Sequence, residues 1–213
     1  IEFLKLLRQV PEITDIAQLD GAGREQLLVS RLTMDSVNSG KDRSQEPAFR
    51  NASRARTWFG PVYFRKETEP YLTIALRSGS DAGPVTIADV NLKFVWDVVS
   101  RIRIGDKGKA YAVDGNGYLV ADPDIGLVLR KTDLSTLPHV RAVSEGVQTG
   151  VDAMESTDVK GVATLTSVAL IEPLGWRVFV EQPMSEVNAK LEASIGRAAL
   201  LLLASVVLSA IGA

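Results

Sequence analysis

The chain lacks cysteine and contains a single histidine among its 213 residues. The absence of cysteine excludes disulfide frameworks, zinc ribbons and thiol nucleophiles together. The one imidazole, at His139, excludes metal sites built from several histidines, and it allows a Ser-His-Asp triad only if that residue serves. His139 follows Pro138 in a polar stretch, so we expect it on the surface. We therefore expect neither a metal ion nor a cofactor.

A surplus of positive charge is also missing. Lys and Arg number 24 against 26 Asp and Glu, which gives a net charge of -2. Proteins that recognise nucleic acid normally carry a clustered positive surface, so we expect no nucleic-acid partner. The chain is 46% hydrophobic and 23% charged, as globular proteins are. Its length suffices for one large domain or two small ones, at about 100 to 200 residues each.

A long apolar run closes the chain. Residues 198–213 read AALLLLASVVLSAIGA, without charge or proline. Because a membrane-spanning helix needs about 20 apolar residues, this run predicts the start of one and the membrane as a partner. Apolar residues spaced by three or four positions predict an amphipathic connecting helix over 184–197. The alternative is a helix in the protein core, which a run that is apolar all round disfavours.

Two stretches of the sequence resemble each other. Asp20-Gly21 and Asp114-Gly115 each lie between apolar runs, and Asp-Gly supplies the positive φ angles of tight hairpin turns. A Glu-Pro pair followed by an alternating strand comes later in each half, as EPYLTIAL from Glu69 and EPLGWRVFV from Glu172. Two similar units in tandem are the simplest interpretation.

Other segments complete the predicted architecture. The stretch LKFVWDVVSRI places its apolar side chains on one helical face, which predicts a helix joining the units. Residues 35–46 are polar and are expected to form a loop. Strands with antiparallel hairpins, mixed with helices, give an α+β fold.

The order of these elements closely resembles the double Cache sensor domains of bacterial receptors. The most specific parts are KAYAVDGNGYLVADPD and EPLGWRVFVEQP. The resemblance implies two PAS-like antiparallel lobes along a long N-terminal helix and, in most members, a homodimer. It implies the end of that helix at 1–10, a membrane-distal lobe at 11–100, a membrane-proximal lobe at 101–183, a connecting helix at 184–197 and a transmembrane helix from 198. Residues 1–197 would then be periplasmic, outside the inner membrane.

The resemblance also implies a ligand site in the distal lobe. One Cache subfamily binds amino acids through an Arg-x-Trp-Tyr segment, a tyrosine before it, another after it and a later aspartate. Similar residues here are Arg56, Trp58, Phe59, Tyr71 and Asp89. Phe59 replaces the tyrosine of the segment, and Asn51 stands where the leading tyrosine is expected. Thr73 shares a strand face with Tyr71, which adds it to the candidate ligand-binding residues. Each of these residues could instead be ordinary core, turn or surface structure.

We therefore expect a non-enzymatic sensor that binds a small solute, such as an amino acid or a carboxylate. The receptor it belongs to would be a histidine kinase, with a nucleotide cyclase or a chemoreceptor as alternatives. A membrane-anchored protein-interaction module with a collapsed cavity is a second hypothesis. An extracytoplasmic enzyme is a third, which the single histidine and the absence of a catalytic motif disfavour.

Overall fold

The computed structural model describes residues 2–80, 82–146 and 153–189. It is α+β, and it divides into two units, Ile1–Val98 and Val99–Ala213, each with its own antiparallel sheet. The predicted α+β class with two antiparallel sheets is therefore confirmed. The apolar run at 198–213 and most of the predicted connecting helix lie outside the described residues. Among the helices that are described, none is long and apolar enough to span a membrane.

The first unit contains a seven-stranded sheet in the order β3-β2-β1-β7-β6-β4, with β5 paired to β6. Its helices are α1 (Glu2–Gln9), α2 (Pro47–Ala55) and α3 (Lys93–Arg101), which crosses into the second unit. Its strands are β1 (Ile13–Leu19), β2 (Glu25–Ser30), β3 (Ser36–Val37), β4 (Thr57–Phe59), β5 (Tyr63–Arg65), β6 (Glu69–Arg77) and β7 (Val85–Asn91). The apolar face of α2 packs on the sheet, where Phe49 and Ala52 join Leu19 and Ala75 in a buried cluster.

The second unit contains a five-stranded sheet in the order β10-β11-β12-β8-β9. Its strands are β8 (Lys109–Val113), β9 (Leu119–Ala121), β10 (Met154–Thr157), β11 (Ala163–Ile171) and β12 (Trp176–Pro183), and its helices are α4 (Ile125–Leu129) and α5 (Pro138–Ser144). Residues 184–189 are helical and follow β12 directly.

Both predicted hairpins are confirmed, and they are built alike. The Oδ1 atom of Asp20 accepts hydrogen bonds from the backbone N–H groups of Ala22 and Arg24, each at 2.9 Å. Asp114 does the same for the backbone of Asn116 and Tyr118, also at 2.9 Å. Each turn ends in a glycine with positive φ, Gly23 (85°) and Gly117 (90°). At both glycines a Cβ would come within 3 Å of a serine, so a side chain would be excluded sterically as well.

One arginine ties three strands of the first sheet together. The Nη1 atom of Arg65, on β5, lies 2.8 Å from Oδ2 of Asp15 on β1, and its Nη2 lies 2.6 Å from Oδ2 of Asp89 on β7. Its guanidinium carbon lies 4.3 Å from the ring centroid of Tyr71. Although burial opposes ionisation of Asp15, hydrogen bonds from Ser30, Arg65 and Thr14 lower its pKa below the ordinary 3.8.

The expectation that His139 lies on the surface is wrong. Pro138 starts α5, and His139 in the first turn points into the second unit, where its side chain is 0% exposed. Its Nε2 lies 2.7 Å from the hydroxyl of Tyr111, which donates a hydrogen bond to Oε1 of Glu181 at 2.6 Å. Burial and the carboxylate of Glu181 raise the pKa of Tyr111, which stays protonated and keeps this chain of hydrogen bonds intact. The polar neighbours of His139 in the sequence suggested exposure. The position of a residue around the helix, however, decides whether its side chain faces the sheet.

We predict that Asp15→Asn destabilises the protein and reduces its sensitivity to acid. A carboxyl group whose pKa is lowered by folding adds stability above its unfolded pKa, near 3.8 for Asp15, and this stability is lost as pH falls through the lower folded value. Urea unfolding at pH 7 should show a loss of about 1.5 to 3 kcal/mol, the usual range for a hydrogen bond to a charged group. The loss should shrink below pH 4. Asp106→Asn, at an exposed position before β8, is the control; an equal loss at every pH would contradict the prediction.

We predict that Tyr111→Phe destabilises the second unit by about 1 to 3 kcal/mol, because it leaves the buried carboxylate of Glu181 without its donor. The matched control is Tyr118→Phe, since Tyr118 is 46% exposed and bonds Asp114 through its backbone N–H and carbonyl. Urea unfolding followed by circular dichroism measures both. Equal stability of the two variants would show that the Tyr111 hydroxyl contributes nothing.

Candidate functional site

The first unit contains a cavity of about 430 Å³ beside α2 and the strands β4, β6 and β7. We refer to it as the first-unit cavity. Six of its lining residues are apolar or lack a side chain: Pro47, Ala48, Trp58, Gly60, Pro61 and Ile87. The other five are polar or charged: Arg43, Glu46, Tyr63, Thr73 and Asp89. A mainly apolar cleft with a few placed polar groups is the usual form of a small-molecule site, and this volume lies in the usual range.

Local sequence places the aromatic wall of the cavity. Gly60 follows β4, and its N–H donates to the carbonyl of Thr73 at 2.8 Å. A Cβ at this position would lie 2.8 Å from the indole ring of Trp58. Glycine therefore allows the ring to lie across the backbone, half-buried, with one side against the core and the other lining the cavity.

Asp89 is an acidic group at this cavity. Its Oδ1 accepts a hydrogen bond from the Thr73 hydroxyl at 2.6 Å, and its Oδ2 accepts one from Arg65 at 2.6 Å. Thr73 and Asp89 are direct cross-strand partners on β6 and β7. Each carboxylate oxygen has two lone pairs, so both retain acceptor capacity for a ligand. The side chain of Asp89 is 20% exposed, and it can therefore be reached.

Arg43 and Glu46 form a second charged group at the cavity. The Nε and Nη2 atoms of Arg43 donate to the two carboxylate oxygens of Glu46 at 2.8 and 2.7 Å, and Nη1 lies 3.3 Å from Oε2 of the buried Glu25. Although burial opposes the charge, the hydrogen bonds and charges of Glu46 and Glu25 raise the pKa of Arg43. Arg43 therefore stays charged and holds the segment before α2 in place.

The structure brings three of the six sequence-predicted ligand residues to the cavity: Trp58, Thr73 and Asp89. Tyr71 does not line it. Its ring is 1% exposed and lies beneath Arg65, so it supports the site from behind. Phe59 follows Trp58 on β4 and does not line the cavity either, because successive strand residues point to opposite faces.

Arg56 lies away from the cavity. It ends α2 with a φ of 64°, and its guanidinium donates to the carbonyl of Gly79 at 2.8 Å. The Arg-x-Trp spacing in the sequence could not reveal this, because the left-handed backbone at Arg56 turns its side chain outward.

Sequence reasoning missed Arg43, Glu46 and Tyr63. The first two lie in the polar segment 35–46, which was expected to be only a loop and also contains the short strand β3. An available signal was the Arg43-x-x-Glu46 spacing immediately before Pro47, since proline favours the first position of a helix. No sequence pattern marked Tyr63 as a candidate ligand-binding residue. Burial raises its pKa, so its hydroxyl stays protonated and can both donate and accept.

The second unit has a cleft of about 290 Å³ lined by charged residues, including Lys109, Asp122 and Glu181. Here the acids are already engaged: Asp122 with Lys109 at 2.9 Å, and Glu181 with Tyr111. Within the described ranges no three acidic or histidine side chains are grouped to hold a metal ion.

Three solved structures resemble this chain. The extracellular domain of a candidate histidine kinase, mmHK1S-Z3, is 17% identical with a TM-score of 0.69, covering 89% of this chain and 79% of that one. The ligand-binding domain of the Campylobacter jejuni chemoreceptor Tlp3, in complex with 4-methylisoleucine, is 13% identical with a TM-score of 0.63, covering 87% and 71%. That of the Pseudomonas aeruginosa PAO1 amino acid chemoreceptor PctC, in complex with GABA, is 17% identical with a TM-score of 0.57, covering 80% and 74%.

At these identities the structures establish a shared fold. No curated protein matches the chain. The sequence itself matches the family dCache_1, described as a Cache domain, over residues 2–191, which is most of its length. The chain therefore belongs to the Cache domain family. The hairpins and the Glu-Pro segments of its sequence had indicated a resemblance to this family.

Proposed function

We propose that this chain is the extracytoplasmic sensor region of a transmembrane receptor, and that the first-unit cavity binds a small solute with an amino group. Amino acids and simple amines both belong to this class. Residues 11–100 form the membrane-distal lobe in this proposal, and residues 101–183 the membrane-proximal lobe. Residues 1–197 lie in the periplasm, the segment from 198 crosses the inner membrane, and the receptor acts as a homodimer with a histidine kinase as its output.

The observation that carries the proposal is the position of Asp89 in the cavity. A half-buried carboxylate beside the aromatic rings of Trp58 and Tyr63 suits an ammonium group attached to an apolar body. Arg65 and Thr73 hold this carboxylate in place before a ligand arrives. Preorganisation reduces the cost of ordering the site on binding.

The solved neighbours support the same class of ligand. GABA and 4-methylisoleucine, bound in the PctC and Tlp3 domains, both contain an amino group. The proposed site consists of Trp58, Thr73 and Asp89, from the sequence prediction, together with Tyr63. Tyr71 is a positioning residue that acts through Arg65, while Arg56 and Phe59 are not part of it.

The open cavity also bears on the interaction-module hypothesis. That hypothesis requires a collapsed cavity with Trp58 in the core, whereas Trp58 is half-buried and lines about 430 Å³ of space. A small-molecule sensor accounts for this space and an interaction module does not.

We predict that Asp89→Asn weakens binding of an amino-group ligand by about tenfold or more, because a charge-assisted hydrogen bond contributes about 1.5 to 3 kcal/mol. Thermal-shift screening of the 213-residue chain against amino acids and amines would identify the ligand, and calorimetry would compare the variants. Asp106→Asn, at an exposed position in the second unit, is the matched control. Unchanged affinity in Asp89→Asn would remove Asp89 from the site, and the absence of any stabilising amine or amino acid would contradict the proposal.

We predict that the ligand changes the tryptophan fluorescence through Trp58. The chain has three tryptophans, and the other two, Trp96 and Trp176, are each 6% exposed and do not line the cavity. Trp58→Phe should abolish most of the ligand-induced change, while Trp96→Phe should keep it. A change that survives Trp58→Phe would place the ligand elsewhere.

A further inference from the structure

We propose that the first-unit cavity selects organic cations: its ligand is a small amine with an apolar body, because the cation in the described part of the cavity lining, Arg43, is already paired with acids. This inference rests on the proposed function, because it takes the first-unit cavity as the ligand site. It goes beyond that function because it distinguishes amines from amino acids as ligands. Both have an amino group, but only amino acids also have a carboxylate.

The charges around the cavity favour a cation. The guanidinium of Arg43 lines the cavity, and that of Arg65 donates to Tyr63 and Asp89 of the lining. These two guanidiniums pair with four carboxyl groups, those of Glu25, Glu46, Asp15 and Asp89. Counted by formal charge, four acids and two bases give an excess of two negative charges. A cationic ligand reduces this excess, a zwitterion leaves it unchanged, and a carboxylate without an amine increases it.

Arg43 already forms ion pairs with two carboxylates. It is the cation in the lining of the cavity among the residues that the structure describes, and it forms a two-pronged pair with Glu46 and a contact with Glu25. Its side chain is 16% exposed. A ligand carboxylate would be a third acid at one guanidinium, in a site where water screens little.

Arg65 is engaged in the same way. One Nη atom contacts Asp15 and the other contacts Asp89, while the plane of the guanidinium lies near the ring of Tyr71. A ligand carboxylate at Arg65 would compete with Asp15 and with Asp89, the group that would hold the amine. Arg56, the arginine of the Arg-x-Trp segment, donates to the carbonyl of Gly79 and does not line the cavity.

The remaining groups at the cavity suit an amine. Asp89 offers unused lone pairs, and the hydroxyl of Tyr63 can accept a hydrogen bond. The rings of Trp58 and Tyr63 can attract a cation through their faces. Pro47, Pro61 and Ile87 provide apolar contacts for the rest of the ligand.

Matched pairs of ligands test the inference. Each pair is an amino acid and the amine that differs from it only by loss of the carboxylate: leucine and 3-methylbutylamine, phenylalanine and 2-phenylethylamine, lysine and cadaverine, GABA and propylamine. Calorimetry on the 213-residue chain in mild detergent should show the amine binding more tightly in every pair that binds, by about tenfold, the effect of one unfavourable charge contact. Leucinamide, which keeps the bulk of leucine without the negative charge, should bind like the amine.

A variant tests whether the ion pairs of Arg43 cause the preference for amines. Glu46→Gln removes one of the acids on Arg43, and Glu46 makes no side-chain cap to α2, so the helix keeps its start. The preference for amine over amino acid should then fall by about tenfold, because Arg43 becomes able to accept a ligand carboxylate. The control is Glu155→Gln, at an exposed position on β10 in the second unit, which should leave the preference unchanged.

The outcomes separate this inference from the proposed function. Equal or tighter binding of the amino acids would overturn the selection of cations while leaving the proposed amino-group site in place. An unchanged preference in Glu46→Gln would show that Arg43 is not the reason and would overturn the mechanism. If neither member of any pair bound, the proposed function and this inference would both fail.

Discussion

The double ion pair of Arg65 is the constraint on which the site depends. It joins β5 to β1 and β7, and it pairs the half-buried carboxylate of Asp89, next to Trp58, with a guanidinium. Without the guanidinium, that carboxylate would be costly to bury. Because Nη1 contacts Asp15 and Nη2 contacts Asp89, the guanidinium is held between the two acids. These contacts place a negative group at the first-unit cavity and keep the neighbouring positive group paired.

The two units use equivalent strand positions differently. Thr73 pairs with Asp89 across the first sheet, and Thr166 pairs with Glu181 across the second in the corresponding strands. In the first unit the acid is held by an arginine and remains at a cavity. In the second unit the acid is 3% exposed and hydrogen-bonded to Tyr111, whose hydroxyl also contacts His139. The acid of the second unit is thus held by a tyrosine hydroxyl, where the acid of the first unit is held by an arginine.

The sequence was sufficient for features that local chemistry decides. Asp-Gly turns, the alternating strand after Glu69 and the helix α3 follow from residue types a few positions apart. Residue spacing does not show which face of a helix packs against the sheet, and that face decides the position of α2 and the burial of His139. Spacing also does not show the positive φ of Arg56, which turns its side chain outward. For the same reason, the sequence predicted only some of the residues that line the first-unit cavity. Trp58, Thr73 and Asp89 lie on strands, where alternation fixes direction, whereas Arg43 and Glu46 lie in a segment without periodicity.

The end of the second unit joins its sheet directly to the helix that follows. The strand β12, which carries Glu181, continues without a loop into the helical residues 184–189. The carboxylate of Glu186 in this helix accepts hydrogen bonds from the backbone N–H groups of Asp106 and Lys107 at 2.9 and 3.0 Å. A Cβ at Gly105 would lie 1.9 Å from the same carboxylate, so the loop needs glycine to receive it. A helix joined directly to a strand and fixed by a second contact one turn later moves with its sheet as one body, because no flexible residues intervene to absorb a displacement.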